Sequence, residues 1–226
     1  MEATRSRIVM VEDHRLLAET VGLALQAEGH EVVFADLTDE TALMASVAAD
    51  ATTLVMLDLD LGELGDATRF IDSFVGAGAA VLVVTGATER VRLAATLESG
   101  AVGYLSKDAP FDELLDVIMR AAASEPVIDP NHRYQLLAEL RAHRSAERQK
   151  WAPFESLTTR ERQVLSELGE GKSVEAIAGE WVVSTATVRT QVRGILTKLD
   201  VNSQLAAVAK AHAAGVVKAL RPSRRG

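Results

Sequence analysis

Five short apolar runs punctuate the first half of the chain: RIVMV (7–11), EVVFA (31–35), TLVML (53–57), AVLVVT (80–85) and GYLS (103–106). Their centres are apolar at consecutive positions, the pattern of strands covered on both faces. Between them lie segments of roughly 12–16 residues with helical character. In the first, HRLLAETVGLALQAEG, Leu17, Val21, Ala24, Leu25 and Glu28 follow the 3.6 period and Gly29 supplies a stop. Five such repeats predict an α/β fold with a doubly wound, five-stranded parallel sheet. In that architecture the working residues sit at the carboxyl ends of strands, near the point where the strand order reverses.

The pattern changes after residue 124. Pro126, Pro130 and Pro153 bracket LLAELRAHRSAERQK, a polar segment with one short leucine cluster. It predicts a partly helical linker over 125–156, and the lack of a sustained apolar heptad argues against a coiled coil. Residues 157–226 show no strand pattern and predict a small all-α domain of four short helices. Thr158 and Glu161 in LTTRE have capping-box spacing. SVEAIAGEW, the tight connection VVS and TATVRTQVRGILTKLD then give short helix, turn and longer helix, the helix-turn-helix order. Along 185–200, Val188, Val192, Ile195, Leu196 and Leu199 form one apolar stripe, and Arg189, Thr190, Arg193 and Thr197 fall elsewhere. The alanine-rich last helix, 203–214, offers a surface for self-association.

Charge sharpens this division. Residues 1–124 carry 21 Asp/Glu against 8 Lys/Arg, net −13, and residues 125–226 carry 11 against 16, net +5. Opposite signs suggest two domains with different partners, the second a polyanion. The absence of cysteine excludes disulfides, a thiol nucleophile and cysteine metal sites, and suits a reducing cytoplasm. The mainly apolar stretch 74–87 is too short for a membrane span, and the N-terminus does not read as a signal peptide. A cytoplasmic protein with no membrane partner is the expectation.

Candidate chemistry collects at the strand ends. Glu12 and Asp13 follow the first strand, Asp58 ends the third, Thr85 ends the fourth and Lys107 follows the fifth. Three carboxylates brought to one sheet edge would repel one another, a cost that a hard divalent cation with oxygen ligands removes. A lysine and a hydroxyl alongside supply a cation and a hydrogen-bond donor for a phosphoryl group. The constellation predicts acyl-phosphate chemistry, a carboxylate attacking a phosphoryl donor with Mg²⁺ and Lys107 balancing charge. Asp13 alone also reads as a helix N-cap, Asp66 as the cap of the third helix, His14 as an exposed first-turn residue and Trp181 as core.

The settings MVEDH, LVMLDLDLG, VVTGA and GYLSKDAP, with Glu12, Asp13, Asp58, Thr85, Tyr104 and Lys107, closely resemble the receiver domain of bacterial response regulators. The run LTTRERQVL…GKSVEAIA…VVSTATVRTQVRGILTKLDVNS resembles the helix-turn-helix of the NarL/FixJ/LuxR family. The resemblance covers nearly the whole chain. It implies a flavodoxin-like receiver over 1–124, a linker over 125–156 and a DNA-binding domain over 157–226. It further implies that Asp58 accepts phosphate from a sensor histidine kinase. Glu12, Asp13, Asp58 and the backbone carbonyl of Asp60 would hold Mg²⁺. Thr85 and Tyr104 would be the switch pair and Lys107 the phosphoryl contact. The Asp60 side chain is read as a tuner of acyl-phosphate lifetime. The loop after Asp58 lacks the proline many receivers carry, and Gly86 follows the switch threonine where a small residue with a side chain is more usual.

The same match places Thr187, Arg189, Thr190 and Arg193 at base edges of double-stranded promoter DNA, with Lys198 and Lys172 on phosphates. Gln191 stands where the family often has histidine. A helix-turn-helix of this size contacts few bases, so a homodimer is the expected active form. The expected role is transcriptional control without an enzyme activity. Two rivals share these residues. In one, the receiver is only a dimerisation scaffold for phosphorylation-independent DNA binding. In the other, DLDLG is the D-x-D of a haloacid-dehalogenase-type phosphohydrolase, with Asp60 as general acid/base. Glu12-Asp13 lies about 45 residues before that motif and the segment after Lys107 enters a helix and a linker, which disfavours the phosphohydrolase.

Overall fold

The structure is a computed structural model, described here for residues 6–47 and 53–220. It forms two compact units, Met1–Ala142 and His143–Gly226. In the first, β1 (Arg7–Val11), β2 (Glu31–Phe34), β3 (Thr53–Leu57), β4 (Ala80–Thr85) and β5 (Gly103–Ser106) make one sheet in the order β2-β1-β3-β4-β5. Every pairing is parallel. The order reverses between β1 and β3, so the ends of β1 and β3 flank the switch point, where ligands bind in open α/β sheets.

Alternate residues of the central strands feed two cores, as the pleat requires. Val9, Val11, Val55, Leu57, Val81 and Val83 pack with Leu43 of α2 (Glu40–Ser46) and with Ile71 and Phe74 of α3 (Ile71–Gly76). Ile8, Met10, Leu54, Met56, Leu82 and Val84 pack with Ala18, Val21 and Leu25 of α1 (Arg15–Ala27). Leu114, Val117 and Ile118 of α5 (Phe111–Ala122) complete that second layer. Central strands buried on both sides explain the continuous apolar runs. The exception is β2, whose four residues are only partly buried or exposed, because it is an edge.

The segment expected to be a partly helical linker is largely one helix, α6 (Pro130–Glu155), with Pro153 inside its last turn. Proline there removes one N–H, a lesser loss near a helix end than at its centre. The helix opens with Pro130 in its first turn and with the Asp129 carboxylate accepting from the His132 amide at 2.9 Å. Leu136 and Leu140, two of the three leucines in the linker's short cluster, are buried with Ala94 and Leu97 of α4 (Arg90–Glu98).

The second unit contains α7 (Thr159–Gly169), α8 (Val174–Glu180), α9 (Thr185–Leu199) and α10 (Gln204–Ala213). They enclose a core that includes Val164, Leu165, Ile177, Val188, Ile195, Leu199 and Ala211. The capping box is present: Thr158 caps α7 and the Glu161 carboxylate accepts from the Thr158 amide. Among the described residues, no helix is long and apolar enough to cross a membrane.

Candidate functional site

The strand ends of the first unit bring Glu12, Asp13, Asp58, Thr85 and Lys107 to one edge. Asp58 follows β3 directly and its amide donates to the Val11 carbonyl at 2.8 Å, which fixes it beside the end of β1. The Glu12 and Asp58 side chains are 0% and 3% exposed. The Lys107 ammonium donates to Asp58 Oδ2 and to Glu12 Oε1, each at 2.8 Å. It also lies 2.7 Å from Glu12 Oε2, but only as an ion pair, so that buried oxygen takes part in no hydrogen bond. Burial pulls the Lys107 pKa down, yet the hydrogen bonds and charges of Asp58 and Glu12 outweigh it and hold the ammonium above its ordinary value.

Asp13 and His14 complete the cluster. Glu12, Asp13, His14 and Asp58 offer ligand atoms within 4.8 Å of one another. Asp13 does not cap α1. His14 holds the cap position, makes no side-chain cap bond, and is 69% exposed as the sequence suggested. Its Nδ1 sits 3.0 Å from Glu12 Oε1 and 2.9 Å from Asp13 Oδ1. Three carboxylates are a hard oxygen donor set of the kind Mg²⁺ takes, and the buried Glu12 oxygen that makes no hydrogen bond, now ion-paired to Lys107, could turn to it. The residues fit the ion.

Thr85 is buried, and its Oγ1 accepts from the Ala87 amide at 3.1 Å. Tyr104, the other half of the expected switch pair, reaches outward: its hydroxyl lies 2.9 Å from Nε2 of His132 on α6. Asp66 caps a 3-10 turn, Ala67–Phe70, that leads into α3, and accepts from the Thr68 amide at 2.9 Å. Asp60 is held by Arg92 of α4, with Nη2 to Oδ1 at 2.7 Å and Nη1 to Oδ2 at 3.2 Å. That hydrogen bonding keeps the Asp60 carboxyl below its ordinary pKa range. A carboxylate clamped in this way is a poorer general acid than a free one, which counts against the D-x-D phosphohydrolase reading.

In the second unit, α8, a connection through Val182 and Val183, and α9 form the helix-turn-helix. Ser184 caps α9 by accepting from the Thr187 amide at 3.1 Å. Val188, Ile195 and Leu199 are buried, whereas Thr187, Arg189, Thr190 and Arg193 are exposed together along the helix. The Arg189 guanidinium rests 3.3 Å from Glu175, with both side chains more than 60% exposed, a contact of little strength in water. The two expected phosphate contacts are engaged within the unit. Lys172 bridges Glu167 and Glu180 at 2.6 Å each, and Lys198 pairs with Glu161 at 2.7 Å. Trp181 is partly buried against the core, with the Arg160 guanidinium 3.5 Å over its ring.

Residues 8–119 match the family model for the response regulator receiver domain, and residues 155–211 that for bacterial regulatory proteins of the luxR family. Over 207 residues the chain is 32% identical to the nitrate/nitrite response regulator protein NarP of Escherichia coli (strain K12), spanning 91% of this chain and 94% of that one. The chain belongs to the NarL/FixJ family of response regulators. This response regulator is also 30% identical over 211 residues to the probable transcriptional regulatory protein NarL of Mycobacterium tuberculosis (strain ATCC 25618 / H37Rv), spanning 91% of this chain and 93% of that one. Similarity extends to the nitrate/nitrite response regulator protein homolog of Haemophilus influenzae, at 28% over 203 residues, 89% of this chain and 93% of that one. It is thus a two-component transcription regulator with a receiver and a LuxR-type DNA-binding domain.

Two residues at the response regulator's sites, and one contact of a third, escape sequence reasoning. Arg92 meets Asp60 across 32 residues of chain, and His132 meets Tyr104 across 28. Neither has a local pattern that announces it. Glu161 was legible as a capping residue, but its second bond, to Lys198, spans 37 residues.

Proposed function

We propose that Asp58 is the phosphoacceptor of this regulator and that its phosphorylation controls binding to promoter DNA as a homodimer. The observation that carries the reading is the buried Asp58–Lys107–Glu12 cluster at the sheet's switch point. An Asp58 oxygen attacks the phosphorus of a phosphohistidine on a sensor kinase. The new O–P bond forms as the N–P bond breaks, and the imidazole leaves. Lys107, already within hydrogen-bond reach of Asp58, balances the charge that the phosphoryl oxygens add. Glu12, Asp13, Asp58 and the Asp60 backbone carbonyl would hold Mg²⁺, which supplies charge neutralisation and a template for phosphoryl oxygens. Thr85, whose oxygen accepts the Ala87 amide, offers its O–H proton to the phosphoryl group, and Tyr104 follows as its switch partner. The Asp60 side chain, tied to Arg92, tunes the lifetime of the acyl phosphate.

Arg189, Thr190, Arg193 and Thr187 present the DNA-reading face of α9, since bidentate arginine contacts to guanine give about 1–3 kcal/mol of discrimination each. Lys172 and Lys198 contact phosphates only by sharing their ammonium groups with the carboxylates they now bridge.

Incubation with a small acyl-phosphate donor and Mg²⁺, read as phosphoprotein mass, tests the mechanism. One adduct is expected on wild type and none on Asp58→Asn. No adduct on wild type, or an undiminished one on the variant, overturns it and leaves phosphorylation-independent DNA binding as the reading. Arg189→Ala and Arg193→Ala are expected to weaken promoter binding more than binding to bulk DNA. Equal losses would demote both residues to phosphate contacts.

A further inference from the structure

The first half of α6 is fastened to the first unit at four places along one helix face. His132 takes the Tyr104 hydroxyl at 2.9 Å. Arg133 donates to the carbonyls of Leu97 at 2.8 Å and Ala101 at 3.0 Å, at the C-terminal end of α4, where the helix dipole concentrates negative charge. Leu136 and Leu140 are 0% and 2% exposed on Ala94 and Leu97. Glu139 receives both Arg90 nitrogens at 2.8 Å, a bidentate pair. Positions 132, 133, 136, 139 and 140 share the spacing of a single stripe. Beyond Ala142 the helix is polar and almost wholly exposed as far as Lys150. The contacts of this stripe lie within residues 130–142.

Two of the stripe's partners, Arg90 and Tyr104, lie close in the chain to the phosphoacceptor edge. Thr85 is joined to α4 by the four residues Gly86–Glu89, and Arg90 is the first residue of that helix. The Lys107 amide donates to the Thr85 carbonyl at 3.0 Å, and Tyr104 lies three residues before Lys107, paired to Val83 of β4. A phosphoryl group on Asp58 draws on the Thr85 hydroxyl as a donor and competes for the Lys107 ammonium. Any resulting shift of the β4–α4 connection or of β5 acts on Arg90, Leu97 and Tyr104, the partners of α6.

We propose that residues 130–142 are a regulatory strap: they hold α4 and Tyr104 in the unphosphorylated arrangement and loosen when Asp58 is phosphorylated. This rests on Asp58 as phosphoacceptor. His132 is a positioning residue, acting on the phosphoacceptor site through Tyr104. Coupling of this kind is reciprocal, so a weakened strap strengthens binding of a phosphoryl group or its mimic at Asp58.

The test uses the full chain with beryllium fluoride and Mg²⁺, the adduct read by fluorine NMR and the strap by amide hydrogen exchange. Adduct formation is expected to speed exchange in residues 130–142 by about tenfold, within the usual range of allosteric coupling. His132→Ala is expected to bind beryllium fluoride about tenfold more tightly. His132→Gln, which keeps a hydrogen-bonding group towards Tyr104, should return affinity towards wild type. An adduct on wild type with unchanged exchange over 130–142 overturns the strap while leaving Asp58 as phosphoacceptor. No adduct on wild type overturns both. The wild-type exchange comparison decides the matter even where a variant fails to fold.

Discussion

Replacing Lys107 by methionine keeps most of the side-chain volume and deletes the charge between Glu12 and Asp58. Their carboxylate oxygens are no more than 4.8 Å apart. At an effective dielectric of about 20, two like charges at that separation repel by at least about 3.5 kcal/mol. In wild type the ammonium, 2.8 Å from an oxygen of each, offsets that repulsion. The Lys107→Met receiver should therefore lose about 3 kcal/mol of stability, in the range found when one partner of a buried pair is removed. Saturating Mg²⁺ should return most of the loss, because the ion supplies the missing positive charge and stabilises whichever state binds it. Urea unfolding of wild type and variant, each with and without Mg²⁺, measures both effects. Lys107→Arg should fall between them. A loss below about 0.5 kcal/mol, the scale of ordinary surface substitutions, would refute the reasoning. So would a full loss that Mg²⁺ does not relieve, which would mean that packing and not charge governs the site.

Other substitutions probe both units. Val182 is a β-branched residue at φ 54° and is 91% exposed, so Val182→Gly should raise the thermal midpoint of the second unit. The gain is about 0.5–1 kcal/mol, relief of left-handed strain less the added chain entropy of glycine; an unchanged or lower midpoint contradicts it. Gly194 leaves room for the Glu161 carboxylate, which a Cβ there would overlap. Gly194→Ala should therefore cost about 2 kcal/mol in chemical denaturation despite alanine's better helix propensity, as the Lys198 and Thr158 bonds to Glu161 are displaced; a more stable variant would exclude this. Arg92→Ala tests the clamp on Asp60. Because the Asp60 pKa is depressed in the folded state, the stabilisation is present above the ordinary carboxylate range and is lost as pH falls through the lowered value. The stability gap between wild type and variant should narrow on acidification, and a widening gap would contradict the assignment.

The fold was legible because its signals are local. Consecutive apolar residues marked the central strands, and the capping box of Thr158 and Glu161 marked a helix start. The strand-end carboxylates were legible for a related reason: a parallel sheet delivers every strand end to one edge, so topology converts sequence order into proximity. What escaped depends on distance along the chain. Arg92 on Asp60 and His132 on Tyr104 join residues whose own neighbourhoods are unremarkable. The linker was misjudged in degree because Pro153 signals an interruption, whereas a proline in the last turn of a helix sacrifices little. Its short leucine cluster was visible, but its burial depends on the apolar face of α4, which no local pattern of the linker reveals.

The anchoring of α6 also bears on how such regulators can be recombined. A chimera joined just after α5 would take the receiver away without Leu136 and Leu140, leaving Ala94 and Leu97 bare to water and the α4 carbonyls without Arg133. A graft joined after Ala142 carries its own cover. By this geometry the module to exchange is the sheet with its flanking helices together with the first three turns of the helix that follows.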